Sequence, residues 1–418
     1  VLINKKWYIN IITVIVQRFF MNMKTIGGIF LVAGTSIGGG MLALPIVTAQ
    51  GGFFYSILLL IACWALMTFT AFLTLEVNLW FPVNSNVISM AKATLGQWGY
   101  VLCWSVYLLF LYALLAAYIA GGQDVLSGLL ASIGINVSAW VAAMLFTVFF
   151  GSIVFYGVRS VDLFNRFLMT IKMSAFAMLV VLISGHISLI NIPTGKVLML
   201  LPAITVAITS FGFSVIIPTL RAYFNDDIKA LRTVILVGSI FPLVCYLIWE
   251  LFIFATVPLH GDNGLVILSK LENPITGLVS ALIYYCPQYL LKNFIRLFTS
   301  ICVLTAFMCV SLGLSDYIRD GVSAWRFTKY RLVVCLLTFL PPLIIVIFYP
   351  KAFILALSYA GLLCVFLQGL MPALMAWSGR YVKKYKTSYT LFGGKPILVL
   401  SILTSLIVIV ITIYQLVF

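Results

Sequence analysis

Apolar runs separated by short polar linkers form the dominant pattern of the chain. They fall at about 25–50, 53–79, 98–121, 139–156, 166–185, 198–220, 233–257, 293–315, 332–349, 352–377 and 397–417. A helix needs roughly 20 apolar residues to cross the hydrocarbon core of a bilayer, and most of these runs approach or exceed that length. The pattern predicts an all-α, polytopic membrane protein of eleven spans. One linker is longer, 258–292; it holds Asn273-Pro274-Ile275-Thr276-Gly277 and a further apolar run to Tyr285. That run predicts a short helix lying over the outer mouth of the bundle. Residues 1–24 carry Lys5, Lys6 and Arg18 around an apolar run, Ile9 to Val16, that is too short to span and precedes no cleavage site. An interfacial helix and an extension ahead of a start at Met21 or Met23 are the two readings of that segment.

Two spans are interrupted. The first contains Gly34-Thr35-Ser36-Ile37-Gly38-Gly39-Gly40-Met41-Leu42-Ala43-Leu44-Pro45. Each glycine inside a helix costs about 1 kcal/mol against alanine, and lipid cannot hydrogen-bond a loosened backbone. Such a break is tolerated only where it is buried in protein or lines a cavity. The sixth span repeats the signal with Thr209-Ser210-Phe211-Gly212 followed by Pro218. Gly34-x-x-x-Gly38 is also a membrane helix-packing motif; the shared Thr-Ser-x-Gly tetrad and following proline favour discontinuous helices over packing. The same residues match a G-x-S-x-G nucleophile pattern, which needs a strand-turn-helix setting. Here they lie in an apolar span and both histidines, His186 and His260, fall in loops, so hydrolase chemistry is set aside.

Breaks in spans one and six imply repeat units of five spans with opposite orientation, about 25–185 and 198–377, followed by a basic loop and an eleventh span in 378–418. This 5+5 inverted repeat with discontinuous helices 1 and 6 is a transporter architecture, with its site near the midplane. Charge gives the orientation. Of 25 lysines and arginines, only Lys196, Lys270, Lys292, Arg296 and Lys351 fall on the side opposite the N-terminus, and Lys172 lies within a span; the rest share the N-terminal side. The positive-inside rule then puts the N-terminus in the cytoplasm and the C-terminus outside. A net charge of +15 in a chain that is 63% hydrophobic and 8% charged is thereby accounted for without nucleic acid. Trp80, Trp98, Trp140 and Trp377 sit at span ends, as an aromatic belt requires. The eight cysteines form no C-x-x-C pair, and neither a metal nor a cofactor is expected.

The breaks carry the candidate chemistry. A second half-helix starting near Gly39–Met41 points its positive end into the first break, where a carboxylate fits. A half-helix ending near Phe211–Ser214 offers free carbonyls to an ammonium group. Together they describe a receptor for a zwitterionic α-amino acid, formed by Gly34, Thr35, Ser36, Ile37, Gly38, Gly39 and Gly40 with Thr209, Ser210, Phe211, Gly212, Phe213 and Ser214. Phe211 and Phe213 offer aromatic contact or simple packing, and no acid or base lies beside either break. Tyr112 and Tyr118 in span three, and Thr299, Ser300, Thr305 and Ser311 in span eight, are candidates to face the cavity. Glu76 and Asp316 lie near cytoplasmic span ends, where structural roles fit. Glu250 in span seven suits a gate or a snorkelling side chain, and Asp162 and Arg166 have the spacing of a helical pair.

Several stretches resemble the bacterial aromatic and hydroxy amino acid permease family, closest to its tyrosine permeases. They are the first break from Val32 to Pro45, Val161-Asp162-Leu163-Phe164-Asn165-Arg166-Phe167-Leu168, Thr209-Ser210-Phe211-Gly212-Phe213, Leu312-Gly313-Leu314-Ser315-Asp316-Tyr317 and Thr338-Phe339-Leu340-Pro341-Pro342-Leu343. The resemblance runs from Met23 onward. It implies the LeuT-like fold of the amino acid–polyamine–organocation superfamily, an inner-membrane location and proton-driven import of an aromatic amino acid, tyrosine before tryptophan. The family pattern Phe-Gly-Phe-His-Gly-x-x-Pro meets Phe211-Gly212-Phe213-Ser214-Val215-Ile216-Ile217-Pro218 here, so the histidine is absent and a serine or threonine permease, sodium-coupled, is the alternative. A channel or a sensor would use the same breaks as a pore or pocket.

Lys172 is the only lysine within a span away from its ends. A lysine at the bilayer centre costs roughly 2.5–3.5 kcal/mol on insertion scales. It either snorkels to the headgroups or faces the bundle, near the carbonyls of span one and hydroxyls of span eight such as Thr305. In the second case the resemblance implies an ammonium standing in for the sodium ion of related transporters. Eleven spans place the termini on opposite sides: a reporter fused after Phe418 should behave as external and one ahead of Lys24 as internal. Both reporters on one side would overturn the inverted repeat.

Overall fold

The computed structural model describes residues 23–417 apart from 84, 156–157, 189–191, 272, 322–330 and 350–351. The segment 1–22, with its interfacial-helix reading, lies outside the described residues, as do the Asp162 and Arg166 side chains.

The described chain is helical, relieved by a single antiparallel bridge between Gly52 and Thr194. The first span is a bent pair: α1 (Met23–Ser36) is followed by α2 (Gly39–Thr48) at an angle of 52°. Then come α3 (Phe53–Leu79), α4 (Val87–Ala131), α5 (Ala139–Phe155) and α6 (Val158–Ser184). The second interrupted span is α7 (Ala203–Ser210) and α8 (Ile217–Phe224), joined by an unwound stretch and one tight turn at Ser214–Ile216. It is followed by α9 (Ile228–Thr256), the short α10 (Leu265–Leu268) and α11 (Pro274–Tyr285), then α12 (Tyr289–Gly321) and α13 (Arg331–Phe348). α14 (Ala352–Cys364) continues through a π-helical stretch, Val365–Leu370, into α15 (Met371–Trp377), and α16 (Gly394–Val417) follows.

Among the described residues nine helices are long and apolar enough to cross a membrane, and the bent pair makes a tenth. This is one fewer than the eleven expected from the apolar runs. The difference is α5, a 17-residue apolar helix that ends at the undescribed residues 156–157. The chain is a multi-pass membrane protein.

Local chemistry sets several boundaries. Asn86 begins α4 by accepting a hydrogen bond from the Ser89 N–H at 2.8 Å, and Asp227 caps α9 through Ala230 N–H at 3.0 Å. Gly96 carries φ +79, a conformation that side chains disfavour. It kinks α4 into a short first part and a long second part. The long linker does contain a helix, α11, which buries Ile275, Leu278, Val279, Ala281 and Leu282 against α4, α12, α2 and α9.

Neighbouring helices enclose α2 and α7. These two pack on each other, with α9 and α12 against α2, and α14 and α3 against α7. Large apolar side chains such as Val148, Phe149, Leu336, Leu340, Ile407 and Val410 remain exposed on α5, α13 and α16, the side a lipid solvent covers.

Two charged clusters clamp the end of the bundle opposite α11. Fully buried Glu76 on α3 accepts from Arg380 Nε at 2.7 Å and from Leu391 N–H at 2.8 Å. Arg380 also reaches the other Glu76 oxygen and the Leu391 carbonyl. Arg221 on α8 donates to Phe81 O at 2.8 Å, to Asn78 and to Asp226, tying α8 to the end of α3. Removing one member of a buried ion pair costs about 3–5 kcal/mol, because the other charge is left unpaired. Arg380→Met should therefore lower the thermal midpoint of the purified protein sharply. The double variant Glu76→Gln/Arg380→Met should recover part of the loss.

Candidate functional site

The candidate site is built where three helix ends meet. α1 ends with the carbonyls of Ser36 and Ile37. α2 begins at Gly39 with Gly38 extended before it (φ −141, ψ −150) and no side chain capping its first turn. α7 ends at Ser210, and its C-cap Phe211 (φ −108, ψ 15) leaves the helix. A β-carbon placed on Gly40 would lie 2.5 Å from Ser210 Oγ, and one on Gly39 would lie 3.0 Å from the Tyr118 ring. A β-carbon on Gly38 would approach Ala306 at 3.3 Å. The glycine run is therefore a close-approach surface: α2 touches α7 and α4 through backbone.

Two fully buried side chains supply donors to the broken backbone. Lys172 on α6 donates to Ile37 O at 2.6 Å and to Thr305 Oγ1 on α12 at 3.3 Å. It does not snorkel. Tyr246 on α9 places its hydroxyl 2.6 Å from Ser36 O and 2.9 Å from Ser210 O. The ends of both interrupted spans thus converge on one phenol oxygen. Its ring lies 5.2 Å from that of Phe211, at 60°.

The second break has its own partner. Gln368, in the π-helical stretch between α14 and α15, accepts from Ser214 N–H at 3.0 Å and from Ser214 Oγ at 2.9 Å. Its amide nitrogen lies 3.4 Å from Gly212 O. Both hydrogen bonds that Ser214 donates therefore go to a single side-chain oxygen.

The remaining candidates sort by what their polar atoms do. Thr35 and Ser36 hydroxyls bond back to Val32 O, Thr209 to Thr205 O and Ser210 to Val206 O. These four hydroxyls bond their own helices, and that of Thr209 also lies 3.5 Å from Leu357 O on α14. Thr35 is exposed, Gly34 half-buried, and Phe211 and Phe213 are 1% and 0% exposed. Tyr112 lies elsewhere: its hydroxyl donates to Leu337 O on α13 at 2.7 Å. Six residues along one helix turn a side chain by about 240°, so Tyr118 faces the glycines and Tyr112 does not. Thr299, Ser300 and Arg296 line a cavity of about 40 Å³ with Thr276 and Ser280, toward the α11 end. A second cavity of about 130 Å³ lies between α5, α12 and α13 with Asp316, Arg319 and Arg331.

Sequence reading missed Tyr246, Gln368 and Asp124. Tyr246 is one of 20 tyrosines and stands in no motif. Gln368 had a signal, an amide side chain within an apolar span. Asp124, on α4, accepts from the N–H groups of Ile275 at 2.8 Å and Thr276 at 3.2 Å, holding the first turn of α11. An acid past the end of an apolar run, with Asn273-Pro274 opening a helix downstream, could have suggested that pairing. Glu250 is fully buried and accepts from Thr48 Oγ1 at 2.8 Å, which rules out snorkelling. Among the described residues no group of three or more His, Cys, Asp or Glu could hold a metal ion.

Residues 21–412 match the model of the tryptophan/tyrosine permease family. The chain belongs to that family. Among its relatives are two tyrosine-specific transport systems of Haemophilus influenzae. System 1 is 36% identical, covering 92% of this chain and 95% of its own length; system 2 is 34% identical, covering 93% and 96%. Glutamine transporter 2 of Aliivibrio fischeri is 30% identical over 93% of this chain and 99% of its own. The permease is a transporter and not an enzyme. Overpacking a tight contact costs about 1–3 kcal/mol, and at Gly40 the strain falls on the α2–α7 contact. Gly40→Ala should therefore reduce uptake by the permease about tenfold or more while leaving its yield and elution profile in detergent near wild-type. Unchanged uptake would show that the α2–α7 approach is not needed.

Proposed function

We propose that this permease imports a neutral aromatic amino acid, tyrosine first and tryptophan next, in symport with protons. The observation that carries the reading is the convergence of two interrupted spans on one buried point, with carbonyls of Ser36 and Ser210 turned toward the same atom. Helix C-ends suit an ammonium, and the α2 N-terminus at Gly39–Met41 suits a carboxylate. A zwitterionic α-amino acid satisfies both. Phe211 and Phe213, beside the break, provide the aromatic contact for its side chain. The names of the tyrosine-specific relatives support the same substrate class; a glutamine transporter among them makes glutamine the comparison substrate.

An architecture accompanies this function. Residues 25–185 and 198–377 form two inverted five-span units, α5 completes eleven spans, and the chain sits in the bacterial inner membrane with its N-terminus in the cytoplasm. Alternating access then moves one bundle against the other around the site.

Lys172 and Thr305 form the coupling centre. An ammonium bound to Ile37 O and Thr305 Oγ1 joins α6, α1 and α12 at the same depth as the substrate. When Lys172 releases its proton to the cytoplasmic side, it keeps only a neutral amine's hold on the Ile37 carbonyl. α1 is then freed to move, and reprotonation from outside restores the joint. Substrate and proton movements are thereby linked through one helix end.

Proteoliposomes test this directly. Labelled tyrosine should accumulate when the external medium is made acidic, with tryptophan following and glutamine and serine well behind, and added sodium should change nothing. Lys172→Met should still bind tyrosine but equilibrate it without accumulation. Gradient-driven accumulation by that variant would remove Lys172 from coupling, and sodium-dependent serine uptake would replace the aromatic reading.

A further inference from the structure

Tyr246 stands between two backbone carbonyls that belong to different interrupted spans, 2.6 Å from Ser36 O and 2.9 Å from Ser210 O. A phenol has one O–H donor, so it can serve only one of them fully at a time. Acceptors therefore exceed donors by one at the junction of α1 and α7. The phenol oxygen also keeps an acceptor lone pair of its own. A group with several N–H donors and a positive charge would complete this set, and a primary ammonium is such a group.

We infer that the Tyr246 hydroxyl is a binding group for the substrate's α-ammonium, an inference that rests on the amino-acid reading of the site. Tyr246 O–H donates to Ser36 O, the shorter of the two contacts. The ammonium donates to Ser210 O and to the Tyr246 oxygen, so that every polar atom of the junction is matched. Charge-assisted bonds of this kind are about twice as strong as neutral ones. The phenol does not drift from this position, because it is fully buried and its ring packs on Phe211. Phe211 is also the first residue beyond α7, so the ring that locates the ammonium also supports a residue beside the substrate side chain. Glu250 is one turn further along α9; one of its oxygens accepts from Thr48 of α2 and the other is buried with no hydrogen-bond partner among the described residues, but it is Tyr246 that touches both carbonyls.

Recognition of this kind depends on the number of N–H donors. It predicts selection for a primary ammonium regardless of the side chain carried, because the contacts are made by backbone carbonyls and one phenol. It also assigns α9, which contributes no break, a direct part in substrate recognition.

Binding of tyrosine, tryptophan and the des-amino analogue 3-(4-hydroxyphenyl)propionate to purified wild-type and Tyr246→Phe protein tests the inference. Loss of one charge-assisted hydrogen bond weakens binding about ten- to a hundredfold. Tyr246→Phe should weaken both amino acids by that factor, raise KM for uptake more than it lowers the maximal rate, and leave the already weak analogue unchanged. A variant that weakens all three ligands equally has a structural defect, and the inference fails while the amino-acid reading stands. If wild-type protein binds the analogue as well as tyrosine, no ammonium is read and both fail. Should Tyr246→Phe not fold, wild-type protein titrated with N,N-dimethyl- and N,N,N-trimethyltyrosine decides the matter instead. The charge is kept in both while the N–H donors fall to one and none. Affinity should drop at each step, and undiminished affinity overturns the inference.

Discussion

A backbone that leaves the helical path inside a membrane must find hydrogen-bond partners within the protein, because lipid offers none. Two spans of this chain break that path near the centre of the bundle, and much of the interior organisation follows from repairing them. Ile37 O is met by Lys172, Ser36 O and Ser210 O by Tyr246, and the Ser214 N–H by Gln368. Each repair comes from a different helix: α6, α9 and the π-helical stretch between α14 and α15. The breaks are thus the points at which the bundle is cross-linked.

Repairs of this kind differ from closed secondary structure in one respect. A helical hydrogen bond has a partner fixed by sequence, whereas a side-chain donor can exchange its acceptor for a ligand at little cost. The broken region is for that reason both held and replaceable. The small residues serve the same end: Gly38, Gly39 and Gly40 bring backbone against Ala306, Tyr118 and Ser210. Side chains there would separate the helix ends and leave their partners out of reach.

The two ends of the bundle are built differently from its centre. At one end Glu76 and Arg380, and Arg221 with Asn78, Phe81 and Asp226, lock helix termini and loops with charged hydrogen bonds. At the other, Asp124 holds the first turn of α11, which lies over α2 and α12. These are locks among scaffold elements, and they surround a centre held by two hydroxyl or amide groups and one ammonium. A firm frame around a centre whose bonds can be exchanged is the physical requirement for moving a solute without opening the membrane.

Composition and periodicity determined the class of this protein before any coordinates. Long apolar runs have one stable form in lipid, the helix, so element type and rough position follow from chain chemistry alone. The two breaks were legible for the same reason: glycine clusters are unfavourable in helices and conspicuous in apolar spans. Lys172 was legible because a charge in such a span demands an account. Tertiary structure alone decided which groups answer the breaks. Tyr246 lies 210 residues from Ser36 and stands in no motif, while Gln368 lies 154 from Ser214, and its amide, though conspicuous in an apolar span, does not say which break it answers. It likewise decided between Tyr118 and Tyr112, whose facing depends on how α4 is rotated against its neighbours. Hydrophobicity selects helices and their length, but it is indifferent to rotation and to partner. Those are settled only when side chains from separate spans compete for the few polar backbone atoms left without a bond.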